Sequence, residues 1–199
     1  AYLLAYIVGA IPFGLILVKT FTKENLLENG SKSIGATNVY RVIKISNPKL
    51  ALKLSISTII LDVLKGLTPL VIAFYFFDIG HSALWMMGIL SIIGHCFSPF
   101  LNFTGGKGVA TALGVGVFFL PIEVGVGILV WVILAKTLKI SSLSSLGGML
   151  AFCISSFIIH SEIPYIDTHT PVVIITFIVF YQHIPNIIRL FNKEESKVV

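Results

Sequence analysis

The apolar residues of this chain come in unbroken blocks close to the length of a membrane span, and that patterning closes off most folds. About 20 consecutive apolar residues read as a transmembrane helix, whereas a soluble element would show alternation or a one-sided stripe. Seven blocks stand out, at roughly 1–18, 52–77, 83–98, 108–121, 124–138, 143–159 and 171–185. The fourth is short for a span, which predicts a tilted, re-entrant or partly buried piece. Composition agrees: 56% of the 199 residues are hydrophobic and 12% charged, where a soluble domain carries about 25% charged residues. Turn formers mark the joints at Asp78–Gly80, Pro99, Pro121, Pro164 and Pro171. The expectation is an all-α integral membrane protein, a single domain over 1–199 built as a bundle of about seven transmembrane helices with a short fourth helix. The first block starts at Ala1 without a charged leader and runs into a long basic loop, so it reads as a retained helix rather than a secretory signal. Cys96 and Cys153 lie within apolar blocks and read as small buried hydrophobes, not as a disulfide or metal pair.

The cations are distributed unevenly. Of the 14 Lys and Arg residues, all but Lys65 fall in 19–53, at Lys107, at Lys136 and Lys139, or in the tail with Arg189, Lys193 and Lys197. The alternate joints hold Asp78, Glu123, Glu162 and Asp167 and no cation. Lys and Arg mark the cytoplasmic side, which predicts an outside N-terminus, a cytoplasmic C-terminus and a multi-pass protein of the bacterial cytoplasmic (inner) membrane with its site on the cytoplasmic face.

Several clusters on that face carry chemistry. Gly105-Gly106-Lys107-Gly108 opens the fourth block; closely spaced glycines let successive N–H groups form an anion nest, and the following helix adds its positive end. It lacks the spacing of a Walker loop, and a glycine turn beside a snorkelling lysine would read the same way. The stretch from Gly30 to Arg41 offers Ser31, Ser33, Thr37, Asn38 and two cations, donors enough for a phosphate, with Arg41 able to bind bidentately; a solvated loop meeting anionic lipid is the alternative. Asp62 and Lys65 lie on one face inside the second block, where isolated charges cost about 2.5–3.5 kcal/mol each, so they mark either a site or a structural ion pair. His95 ends the third block, placed for proton handling or for donation to an oxyanion. Ser142 stands among serines that could cap the sixth helix, and His183, Asn186 and Arg189 recur at three-residue spacing.

In this order the strings Gly9 to Gly14, Gly35-Ala36-Thr37-Asn38-Val39 with Arg41, Asp62-Val63-Leu64-Lys65-Gly66, Gly94-His95 through Gly105-Gly106-Lys107-Gly108-Val109-Ala110-Thr111, and His183/Asn186/Arg189 resemble the bacterial acyl-phosphate:glycerol-3-phosphate acyltransferase (PlsY) family over nearly the whole chain. The resemblance implies transfer of a fatty acyl group from acyl phosphate to the 1-hydroxyl of glycerol 3-phosphate, giving lysophosphatidate and phosphate. It implies His95, Lys107, Ser31 and Arg41 in catalysis, with Thr37, Asn38, Lys65, Gly105, Gly106, Gly108, Ser142, His183 and Asn186 around substrate phosphate. No metal or organic cofactor is expected; the partners are the two substrates and membrane lipid, not nucleic acid, and the oligomeric state stays open. Ala10, Ser33, Gln182, Ile184 and Asn192 depart from the family's usual residues. The alternative from the residues alone is a transporter of an anionic phosphorylated metabolite, although no outer-side cation and no inverted repeat speaks for it.

Overall fold

The computed structural model describes residues 1–163 and 166–197; Pro164, expected at a joint, lies outside them. Among the described residues ten α-helices follow one another: α1 Tyr2–Ala10, α2 Phe13–Phe21, α3 Ala36–Ile43, α4 Pro48–Phe76, α5 His81–Cys96, α6 Val109–Phe119, α7 Pro121–Leu138, α8 Ser141–Ile159, α9 Thr170–Gln182 and α10 Ile184–Phe191. Among the described residues there is no strand, only an isolated bridge from Ser98 to Thr104.

All seven apolar blocks are helical, but they do not make seven clear spans. Among the described residues four stretches are long and apolar enough: Tyr2–Phe21, Pro48–Phe76, Pro121–Leu138 and Ser141–Ile159; α9 and α10, bent by 56° at their junction, make a fifth if counted together. Element length is the reason fewer than the expected seven stand out. The 16 residues of α5 and 11 of α6 reach about 24 and 16 Å at the helical rise, against ~30 Å of hydrocarbon. Apolar run length overstates them. The turn at Pro99–Leu101 and the glycine loop beyond it separate α5 from α6, and Pro121 starts a new helix at once.

The breaks create tertiary contacts. Pro12 has no N–H and ends the ladder of α1, and the carbonyls beside it turn to other helices: Ile11 O accepts from Lys65 Nζ at 2.8 Å and Ala10 O from Ser98 Oγ at 2.7 Å. Helix α1 lies against α5, with Ser91 Oγ donating to Ala5 O at 3.1 Å and Tyr6 OH to Phe97 O at 2.8 Å. In the core Trp85 stacks on Phe119, ring centroids 3.7 Å apart. The outward faces of α4, α7 and α9 expose Ile60, Leu129 and Phe177. That would be an aggregation hazard in water and is the natural surface in lipid.

One end of the bundle gathers the loop before α3, the α5–α6 loop, the α7–α8 turn and the residues after α10. Thr37 Oγ1 meets Ser141 Oγ at 3.0 Å, and Ser142 Oγ donates to Glu195 Oε1 at 2.7 Å. At the other end Glu123, at the start of α7, pairs with His160 just after α8, Nε2 to Oε1 2.8 Å.

Candidate active site

Three helices begin at the first end without a side-chain cap: α3 after Gly35, α6 after Gly108 and α8 after Ile140. First-turn N–H groups lack partners within their helix, and the helix dipole makes that end positive. Gly108 starts α6 from a φ of 80°, a left-handed conformation that glycine adopts freely. Ser33, Gly35, Ala36, Lys107 and Gly108 line the mouth of a cavity of about 380 Å³ whose depth is almost wholly apolar.

The α5–α6 loop is seated on His95. Gly106 N donates to His95 O at 3.0 Å. A Cβ on Gly105 would run into that carbonyl, and one on Gly106 into His95 Nε2, so both positions need the bare backbone for this close approach. The loop therefore presents Lys107 from a fixed platform. Burial lowers the Lys107 pKa to about 8; Glu195 nearby opposes the shift, and the cations Arg189 and Arg41 add to it. Arg41 and Lys107, 66 positions apart by number, thus act on one another across the same mouth, joined by Arg189.

Glu195 was not anticipated from the sequence. Its carboxylate accepts from Ser142 Oγ at 2.7 Å, Asn186 Nδ2 at 2.6 Å and Arg189 Nε at 2.7 Å. Burial pushes that carboxyl upward, but the hydrogen bonds from Ser142, Arg189 and Asn186 outweigh it, and the net pKa is lowered. An acid among the four charged residues of a tail (Lys193, Glu194, Glu195 and Lys197) carries no periodic signal; only the folding back of the tail onto α8 and α10 makes it part of the site. His183, buried at the α9–α10 bend, pairs Nδ1 with Val179 O at 2.7 Å. A carbonyl only accepts, so Nδ1 bears the proton and Nε2 is left as an acceptor.

Other expected residues are tied into the scaffold around the mouth. Asn38 is buried, accepts from Ser31 N at 2.8 Å and donates to Leu26 O, Asn29 O and Ser33 O; it folds the loop that presents Ser31 and Ser33. Lys65, buried in α4, is held by Ile11 O and by Asp62 Oδ1, both at 2.8 Å. His95 Nδ1 lies 3.8 Å from the same Asp62 oxygen and has no hydrogen-bond partner. Asp62 and His95 both reach the cavity wall. Among the described residues no group of three His, Cys, Asp or Glu side chains could hold a metal ion.

Fold and site together define a helical integral membrane protein that offers a cationic, amide-rich mouth to an anion and an apolar cavity to whatever is attached to it. The chain matches the family described as glycerol-3-phosphate acyltransferase over residues 1–193. It belongs to that family: it is a PlsY-type glycerol-3-phosphate acyltransferase, a membrane enzyme of phospholipid synthesis. The glycerol-3-phosphate acyltransferase of Campylobacter lari is 57% identical, across 100% of this chain and 97% of its own. That of Wolinella succinogenes is 52% identical across 100% and 95%. A crystal structure described as PlsY (YgiH) in its glycerol 3-phosphate form superposes with a TM-score of 0.83 at 31% identity, covering 98% of this chain and 92% of that one. The lysophosphatidic acid form gives 0.81 over the same shares.

Proposed function

We propose that the mouth binds two phosphates, those of acyl phosphate and glycerol 3-phosphate, and that acyl transfer is direct. The observation that carries this reading is Lys107 with the uncapped starts of α3 and α6 in the lining of an apolar cavity, Arg41 and Arg189 acting on Lys107, and the start of α8 tied to α3 through Ser141 and Thr37. The crystal forms of the structural relative are described with glycerol 3-phosphate and with lysophosphatidic acid, which supports one of these as substrate and the other as product. An acyl phosphate is already activated, so positioning and charge stabilisation suffice. The glycerol 1-hydroxyl oxygen bonds to the acyl carbon; the bond from that carbon to the phosphate oxygen breaks; the hydroxyl proton leaves on the departing phosphate. Arg41 and Lys107 hold the phosphates, with Ser31, Thr37 and the amides of Gly105, Gly106 and Gly108. Ser142 and Asn186 complete the binding on the α8–α10 side, where His183 Nε2 accepts from a glycerol hydroxyl, while Asn38 and Lys65 fix the loops and helices that carry the ligands. His95 fixes the glycine loop and donates to the developing oxyanion.

The two shorter helices α5 and α6 complete seven crossings in this reading, with the N-terminus outside, the C-terminus inside and the site on the cytoplasmic face of the inner membrane. That orientation rests on the one-sided distribution of Lys and Arg. The test is purified protein in detergent given acyl phosphate and glycerol 3-phosphate. Release of one phosphate per lysophosphatidate formed is expected. Phosphate release without glycerol 3-phosphate, or a labelled acyl chain left covalently on the protein, would refute direct transfer.

A further inference from the structure

The cavity has a floor, and the floor sets how much of the acyl chain the protein can read. Its wall follows α7 from Val132 through Ile128 to Val124 and α8 from Ser145 to Phe152. The two helices meet there through glycines: a Cβ on Gly127 would lie 2.9 Å from Gly148 O, and one on Gly148 2.8 Å from Gly127 O. Below Val124 the trough is shut, because a Cβ on Gly116 of α6 would meet Val124 at 2.6 Å and the Phe152 ring at 3.3 Å. From Val132 to Val124 the wall is about 12 Å long at the helical rise. A fully extended chain advances ~1.2 Å per bond, so about ten carbons fill that depth. Midway, Ile128 is still 43% exposed, so the trough is open along its side.

We infer that this trough between α6, α7 and α8 is the acyl-chain gauge of the enzyme. It holds about the first ten carbons of the donor, with the floor at Val124, Phe152 and Gly116 turning the remainder out into lipid. The inference rests on the acyl phosphate reading above. Each methylene taken fully from water is worth about fourfold in binding, and a half-open trough about twofold. Discrimination is therefore expected within the first ten carbons and absent beyond them.

The experiment compares variants with wild type using saturated acyl phosphates of four to eighteen carbons at saturating glycerol 3-phosphate. The readout is the variant-to-wild-type ratio of kcat/KM at each length, in which partition of the donor into micelles cancels. Ile128→Trp places a ring halfway down the trough. Its ratio should fall about twofold per carbon from roughly five carbons to ten, then stay level. Phe152→Ala opens the floor, and its ratio should rise for donors longer than ten carbons; this gain is readable even if the tryptophan variant does not fold. A Phe152→Ala ratio that is flat across all lengths, or an Ile128→Trp ratio still falling from ten to eighteen carbons, would overturn the gauge. A wild-type enzyme that uses no acyl phosphate of any length would instead overturn the donor assignment, and the gauge with it.

Discussion

Removing the Lys107 charge should stabilise the empty enzyme while abolishing its activity. The side chain lies beside Arg41 and Arg189 in a partly buried mouth, and its pKa falls from 10.5 to about 8. At 1.36 kcal/mol per unit, that depression corresponds to about 3 kcal/mol against the charged form. Solvent screening of a half-buried group reduces this to roughly 1–2 kcal/mol of stability. The sign follows from proton counts. Between pH 8 and 10.5 the unfolded chain keeps a proton that the folded chain has lost, so stability rises with pH across that window. Below pH 8 both states are protonated, and the cost of holding the ammonium there is fully present. Lys107→Met keeps the length of the side chain and removes the charge. It should melt about 2–6 °C above wild type at pH 7, and the gap should close as pH rises from 8 to 10.5.

Phosphate release should fall in the same variant by about 10²–10³, the usual loss when one donor to a transition-state charge is removed. In wild type the activity should decline as pH rises through about 8, with the limb displaced upward at saturating substrate because a bound phosphate favours the ammonium. The measurements are thermal unfolding in detergent at pH 7 and 10 and phosphate release over the same range. A variant that melts below wild type at pH 7, or one that keeps more than a tenth of the activity, would refute the account of Lys107 as a charge held at a cost for an anion.

Three other perturbations test the surroundings of the site. Glu195→Gln keeps the shape but weakens three hydrogen bonds and should cost roughly 1–2 kcal/mol at pH 7. Because the carboxyl pKa is lowered on folding, the gap should close as pH falls from 4.5 through the folded value, and equal melting of the two proteins at pH 7 would contradict it. Asp62→Asn or Lys65→Met alone leaves a buried charge without its partner and should cost about 3–5 kcal/mol, while the double replacement should cost less than the sum of the two; additive losses would mean the pair is uncoupled. Gly106→Ala drives a methyl into His95 Nε2 and should cost about 1–3 kcal/mol of stability, and the double variant with His95→Ala should lose less than the sum of the two single losses because the ring that collides is gone. Additive losses in thermal unfolding would mean the collision is not the cause.

Where the chemistry was legible in the sequence, it was written in residues whose options are few. Gly105-Gly106-Lys107-Gly108 could be read as an anion nest or as a plain glycine turn beside a snorkelling lysine, and the structure seats that loop against His95 at the cavity mouth. Arg41 and Lys107 were expected on one face from loop charge alone, and they meet there. Span count was less legible, because hydropathy reports where a chain is apolar and not where hydrogen bonding stops; α6 ends after 11 residues although the apolar run continues into Pro121. Asn38 looked like a substrate ligand by side-chain chemistry, yet its amide is engaged by the backbone of residues 26–33, a partnership that exists only once the loop has closed. Glu195 is the clearest case. Counting cations in the tail passed over the acid, and the reason is physical: an anion is the last group to expect in a mouth built for anions. Its carboxylate bonds Ser142 and Asn186, two groups expected at substrate phosphate, and it offsets part of the repulsion among Lys107, Arg189 and Arg41. A cationic site in a low-dielectric membrane protein needs one fixed counter-charge to hold its cations together between turnovers, and a carboxylate hydrogen-bonded on three sides supplies it while adding only a single negative charge against the incoming phosphates.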